Sequence, residues 1–239
     1  MSTETANHNL QAAPHYAIGI DIGGTNTKFG VVDTRGDIYY RGAISTKKHK
    51  SVEKFIHDLY EAVMPAIESI GGVLDIKGIG VGAPNGNYYK GTVEYAPNLP
   101  WKGVIPLAQM LQEKFNLPAS LTNDANAAAV GEMMYGAARG MKDFIMITLG
   151  TGVGSGIVAN GQLIYGHDGF AGELGHTIII PDGRLHWGTD AHGSLEAYAS
   201  ATGIRLTALE LLEKRHNQTS LLRNFPPEEL ESHHVYECA

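Results

Sequence analysis

The residues able to do chemistry gather in short runs built around glycine. Residues 147–156 read ITLGTGVGSG, with Gly150, Gly152, Gly154 and Gly156 at alternate positions and the hydroxyl of Thr151 between them. A backbone without Cβ comes close to a ligand and takes positive φ, and consecutive exposed amides then form a concavity for an anion. The same spacing also suits a strand that packs tightly on a neighbour. A second run, residues 21–28, reads DIGGTNTK. Gly23 and Gly24 offer amides there, Thr25 and Asn26 offer polar side chains, and Lys28 offers a cation. Asp21 ends an apolar run, where a buried carboxylate is costly without a partner or a metal. Phosphate with Mg²⁺ suits this set, since Mg²⁺ is held by oxygen ligands; a plain hairpin turn is the alternative.

Further along, Asn123 and Asp124 sit between an apolar run and an alanine-rich stretch. Either suits a helix N-cap, and a carboxylate at a strand end beside a helix start is also where α/β enzymes keep reactive groups. Glu173 and His176 are spaced three apart among small residues, followed by a polar loop, residues 181–193, with His186, Asp190 and His192. Glu196 opens a helical stretch at 195–202.

The elements that must position these groups follow from periodicity. Residues 16–20 read as a strand, 29–33 and 38–45 as two more, so the first glycine turn joins strand to strand. That arrangement excludes the dinucleotide-binding fingerprint, which needs a helix after its glycines, and the absence of any Gly-Lys pair excludes a Walker loop. Residues 52–70 carry apolar residues at helical spacing, with Pro65 inside, which should kink or shorten the helix, and Gly71-Gly72 to stop it. Residues 76–83 form a strand, 85–100 a long loop of the functional kind, 105–115 a helix and 119–122 a short strand leading into a helix over 125–135. Residues 144–149 read as a buried strand and 162–164 as the closing limb of a hairpin. Residues 177–180 make another strand, 204–215 a helix, and 225–227 begin a last helix with Glu228 and Glu229 in its first turn.

The 239 residues carry 18 basic and 25 acidic side chains, a net charge of −7, which argues against nucleic acid or an anionic membrane as partner. The single cysteine, Cys238, leaves no internal disulfide framework and fits a reducing cytoplasm. No apolar span reaches the length of a membrane helix. The polar residues 1–15 read as a disordered tail, 16–118 as a small N-terminal domain and 119–239 as a larger one.

Taken together, these runs resemble the ROK sugar kinases of the actin/hexokinase/Hsp70 superfamily, from about residue 16 to the end. DIGGTNTKFGVVD is similar to that family's first phosphate loop, GVGAPNGNYYKGTVEYAPNLPW to its sugar-loop region, and LTNDANAAAVGE to the segment holding its catalytic aspartate. LGTGVGSGIVANGQLIYGHDGFAGELGH resembles the second phosphate loop and the ExGH motif, and GSLEAYAS the GCLE segment. The resemblance implies an α/β fold of two ribonuclease-H-like (actin-like ATPase) domains closing over a cleft. It implies ATP-dependent phosphorylation of a hexose 6-hydroxyl, with glucose foremost and N-acetylmannosamine, N-acetylglucosamine, fructose or allose as alternatives. A sugar-sensing regulator without catalysis is a further alternative. Asp124 would be the general base. Asn98, Asn123, Glu173, His176 and Glu196 would hold sugar hydroxyls. Asp21, Gly23, Gly24, Thr25, Asn26 and Lys28, with Gly150, Thr151, Gly152 and Gly154, would hold ATP phosphates, and Asp21 would help to position Mg²⁺. A homodimer is in keeping with the family.

Two departures from the family pattern stand out. Family members usually continue for several more helices that complete the adenosine pocket, so the second domain reads as truncated. They also commonly hold zinc through the ExGH histidine and a CxCGxxGC run, whereas here Trp187, Thr189 and Ser194 occupy the cysteine positions. Tryptophan does not ligate zinc and hydroxyls do so poorly; the substitute set would be His176, His186, Asp190 and His192. Metal analysis of protein purified without a histidine tag should find no stoichiometric zinc; zinc that survives dialysis against a weak chelator would overturn this.

Overall fold

The computed structural model describes residues 15–72 and 75–239, which fall into two compact units, one ending at Asn123 and the other beginning at Asp124. The expected tail, apart from His15, lies outside the described residues. The first unit runs β1 (Tyr16–Ile22), β2 (Asn26–Asp33), β3 (Ile38–Ser45), α1 (Val52–Ser69), β4 (Ile76–Gly82), β5 (Gly86–Asn87), β6 (Thr92–Glu94), β7 (Val104–Ile105), α2 (Leu107–Phe115) and β8 (Ala119–Thr122). The second runs α3 (Asp124–Tyr135), β9 (Phe144–Leu149), β10 (Val153–Ala159), β11 (Gln162–Leu163), α4 (Glu196–Ala199), α5 (Ala201–Lys214) and α6 (Ser232–Glu237).

In the first unit, β1 pairs antiparallel with β2, and β2 with β3, while β4 and β8 add on in parallel to give the order β3-β2-β1-β4-β8. Strand alternation buries Tyr16, Ile18, Ile20 and Ile22 of β1 against Phe55, Leu59 and Val63 of α1 in one apolar cluster. The other face of β1 carries Asp21, which is exposed and pairs across the ladder with Lys28. The expectation of a buried carboxylate at this strand end is therefore corrected: the strand ends one residue later, at the buried Ile22. The Oγ of Ser51 caps α1 by accepting the Lys54 amide at 3.3 Å. Pro65 does not shorten that helix; it lies on the solvent side, and α1 runs on to Ser69. The glycine stop holds: Gly71 and Gly72 have φ of 101° and 103°.

Residues 85–100 are not the expected long loop. Two of the strands of a small antiparallel sheet, β5-β6-β7, form within them, and Val104–Ile105 completes it, which delays α2 until after Pro106. Likewise β8 hydrogen-bonds to β4, so the first unit extends through Asn123 rather than ending at residue 118.

In the second unit, β9 and β10 form a hairpin extended by β11, and α3 packs on it. The expected buried strand at 144–149 is a half-exposed edge. Phe144, Met146 and Thr148 are half-buried, while Ile145, Ile147 and Leu149 face solvent, because α3 covers one face of the sheet only. Residues 177–180 do not form a strand. Ile178 makes an isolated bridge to Ser194, and the Gly193 carbonyl accepts from both Ile179 and Ile180, which prevents a regular ladder. The expected helix over 195–202 breaks at Ser200, whose extended backbone (ψ 166°) and Oγ cap α5 by accepting the Gly203 amide at 3.1 Å. The last helix starts at Ser232, since residues after Pro226 form a turn on its carbonyl instead. Among the described residues, no helix is long and apolar enough to cross a membrane.

Two tests of this packing follow. A Cβ at Gly156 would lie 2.6 Å from Ala129 Cβ and 3.1 Å from the Ala125 carbonyl, so Gly156→Ala should destabilise by about 1–3 kcal/mol, read as a lowered midpoint in urea. The second concerns Asp33, which closes the β2–β3 turn by accepting the Arg35 and Asp37 amides at 2.9 and 3.0 Å and the Arg35 guanidinium at 3.0 Å. Burial pushes its carboxyl up, but these donors outweigh burial and hold it below its ordinary value. A depressed carboxyl contributes stability above its unfolded pKa of about 3.9 and loses it as pH falls through the folded value. Thermal stability should therefore drop on acidification below about pH 4, and Asp33→Asn should flatten that part of the curve.

Candidate active site

Each unit carries its own cluster of the residues singled out by sequence. In the first, the turn between β1 and β2 is tight: the Gly23 amide donates to the Asn26 carbonyl at 3.0 Å. Asn26, Thr27 and Lys28 thus belong to β2 rather than to a loop. Thr27 points inward and shares a 2.7 Å hydrogen bond with Thr46, while Asp21, Thr25, Asn26 and Lys28 are exposed. A Cβ at Gly24 would fall 2.5 Å from the Asn98 carbonyl. Asn98 and the glycine turn, distant in sequence, are in this way packed together. Asp21, Thr25 and Asn26 offer the carboxylate, hydroxyl and amide oxygens that a hard cation takes, and Lys28 offers a positive charge. Asn123 is buried at the end of β8.

In the second unit, Asp124 is exposed on the first turn of α3, and its Oδ1 accepts the Ala125 amide at 2.8 Å. The alanine-rich start of α3 rests on the glycines of β10. A Cβ at Gly154 would lie 2.9 Å from Ala125 Cβ, and the Gly156 contact with Ala129 is closer still. These glycines serve close packing, the alternative that their spacing left open, and none of the four from Gly150 to Gly156 has positive φ. The turn that joins β9 to β10 spans Gly150, Thr151 and Gly152, with the Gly150 amide donating to Gly152 and its carbonyl accepting from Ala201 at the start of α5.

Gly152 has a different neighbour: a Cβ there would lie 2.5 Å from Glu196 Oε2. That oxygen accepts the Val153 amide at 2.7 Å, and Glu196 Oε1 meets His186 Nε2 at 2.6 Å. His186 is buried, its side chain 4% exposed against 16% for Glu196. Its Nδ1 receives the Gly188 amide at 3.2 Å and the Thr189 hydroxyl at 2.9 Å. An amide can only donate, so Nδ1 is the acceptor and Nε2 carries the proton given to Glu196. Trp187 covers the ring, centroid to centroid at 4.5 Å, and the His176 ring lies edge-on at 6.4 Å.

Glu173 caps and His176 ends a 3₁₀ turn, Leu174–His176, that is laid against β10. A Cβ at Gly175 would come within 2.3 Å of the Val153 carbonyl, Ser155 Oγ donates to the Gly172 carbonyl, and the Leu174 amide reaches the same hydroxyl at 3.3 Å. Both side chains are exposed, Glu173 Oε2 lying 4.0 Å from His176 Nε2. Glu173, His176 and Glu196 are therefore gathered beside the second glycine turn. His186, considered from sequence only as a substitute metal ligand, joins them. A histidine in a polar loop gave no signal of this pairing, because ten residues and a reversal of the chain separate it from Glu196.

The substitute zinc set is not assembled. His186 faces Glu196, and His192 Nδ1 donates to the Gly183 carbonyl at 2.9 Å. Among the described residues, the one group of three side chains spaced to share a metal is His233, His234 and Glu237 in α6.

Comparison with known proteins bears on these clusters. A glucokinase of Halalkalibacterium halodurans is 39% identical over 207 residues, a match covering 85% of this chain and 62% of that protein. The chain thus spans less than two thirds of that relative's length. A ROK family glucokinase from Streptomyces griseus, solved in complex with glucose and AMPPNP, superposes with a TM-score of 0.69 at 36% identity, covering 93% of this chain and 70% of that one. A xylose repressor of Caldicellulosiruptor bescii is 38% identical over 205 residues, covering 83% of this chain and 49% of the repressor. The mixed α/β architecture is the actin-like ATPase fold of these kinase structures. The model of the ROK family matches residues 17–237, and the chain belongs to that family.

Proposed function

We propose that this chain carries the catalytic and sugar-binding residues of an ATP-dependent hexose kinase, with glucose as the foremost substrate. The observation that carries the reading is the grouping in the second unit: Glu173, His176 and Glu196 lie beside the Gly150–Gly152 turn, and α3 rests on the same strand with Asp124 at its start. Phosphoryl transfer leaves little covalent chemistry to the protein; positioning and charge neutralisation supply most of the rate. Asp124 takes the proton of the sugar hydroxyl as it attacks, a role worth about 10²–10⁴ in rate. Glu173, His176 and Glu196, with Asn98 and Asn123, accept and donate to the ring hydroxyls. A site that bonds each hydroxyl rejects an analogue lacking one, since its own polar groups are then left unpaired.

The glycine turns and the strand residues that follow them hold the phosphates: Gly23, Gly24, Thr25, Asn26 and Lys28 in one unit, Gly150, Thr151, Gly152 and Gly154 in the other. Asp21 is the residue suited to Mg²⁺, which when bound offsets phosphate charge. A sugar-responsive regulator without catalysis is the second reading, favoured by the likeness to the xylose repressor. A coupled assay with Mg-ATP against glucose, fructose, allose, N-acetylglucosamine and N-acetylmannosamine separates the two: turnover identifies a kinase and its sugar, whereas binding without turnover identifies a sensor. In the kinase, Asp124→Asn should lower kcat by about 10²–10⁴ while sugar affinity is largely kept; a variant within about tenfold of wild type would remove Asp124 from the role.

A further inference from the structure

We propose that His186 is a positioning residue that sets the Glu196 carboxylate for sugar recognition; the proposal rests on the sugar-binding role given above to Glu196. The carboxylate is held on both oxygens. His186 Nε2 donates to Oε1 at 2.6 Å, and the Val153 amide donates to Oε2 at 2.7 Å. His186 is itself fixed. Its Nδ1 accepts from Gly188 and Thr189, which selects the tautomer with the proton on Nε2, and Trp187 lies over its ring. Gly152 completes the arrangement from the other side, since a Cβ there would stand 2.5 Å from Oε2.

A glutamate has three side-chain torsions, and a carboxylate left to rotate loses the geometry that hydroxyl recognition requires. With both oxygens held, each keeps a further lone pair for a hydroxyl. The same carboxylate touches the first residue of β10, directly after the glycine turn, so sugar recognition and the phosphate turn share one anchor. His186 is buried and reaches this site through Glu196.

The test compares two variants of similar size in the full chain. His186→Gln keeps a donor near the Nε2 position, and His186→Met fills the space but cannot donate. Glucose affinity is read by calorimetry, fold stability by thermal unfolding, and the Val153 contact by hydrogen exchange over the β10 start. Met should weaken glucose binding about tenfold to a hundredfold and speed exchange at Val153, with the melting temperature largely retained; Gln should restore most of both. Glucose binding unchanged in the Met variant overturns the proposal, as does equal weakening by Gln and Met. Should the Met variant not fold, Gly152→Ala reaches the same carboxylate: weakened glucose binding supports the proposal and unchanged binding overturns it. If wild type binds no hexose, the kinase reading fails on its own. Exchange at Val153 then decides the positioning role: faster in Met than in Gln sustains it, and equal exchange overturns it.

Discussion

Much of the second unit depends on one constraint: β10 must come into close contact with three other pieces of chain. Gly152 admits the Glu196 carboxylate, Gly154 and Gly156 admit α3, and the 3₁₀ turn reaches the Val153 carbonyl through Gly175. A methyl group at any of these positions would stand under 3.0 Å from a neighbouring atom. The strand is therefore a shared wall, and the groups around it hold their separations because nothing intervenes. Close packing of this kind tolerates little volume change, which is why a single added carbon is felt at these positions.

The two units reach stability by different means. The first buries large aliphatic and aromatic side chains, Phe55, Leu59, Ile18 and Ile22 among them, in one continuous cluster. The second buries mainly small residues, Ala125, Ala129, Ala197 and Ala208, together with glycine contacts, and leaves Ile145, Ile147 and Leu149 of β9 open to solvent. Small residues bring backbones together and leave functional side chains near the polypeptide that orients them. They also remove less apolar area from water per residue, so this unit relies more on hydrogen bonds such as those of Arg184, which ties residues 184, 197, 203 and 207 together.

Electrostatic order around Glu196 follows from hydrogen bonds rather than from a cation. The neutral imidazole of His186 and the amide of Val153 each present one donor to the carboxylate. Partly buried carboxylates are costly without such donors, and here each oxygen has its own donor, which restricts rotation as well as compensating charge. Trp187 and Thr189, at positions where family members commonly carry cysteines, cover and bond the same histidine instead.

The residue sequence alone determined the strand–turn–strand at Asp21–Lys28, the amphipathic α1 with its Gly71-Gly72 stop, the strand that delivers Asn123 and Asp124, and the family. These are local: periodicity, glycine and capping act within a few residues of each other. It also marked Glu173, His176 and Glu196 as a set through motif order. Only the tertiary structure decided what long-range pairing controls. It turned Asp21 to the solvent face, because β1 buries its alternate residues. It converted residues 85–100 into parts of a small sheet and moved β8 into the first unit, because both depend on partners remote in sequence. It ended the strand expected at 177–180, where one Gly193 carbonyl takes two amides. It gave the alternating glycines of β10 to packing rather than to left-handed turns, since α3 lies across them. And it paired His186 with Glu196, a contact that exists only because the loop between them reverses and closes on itself.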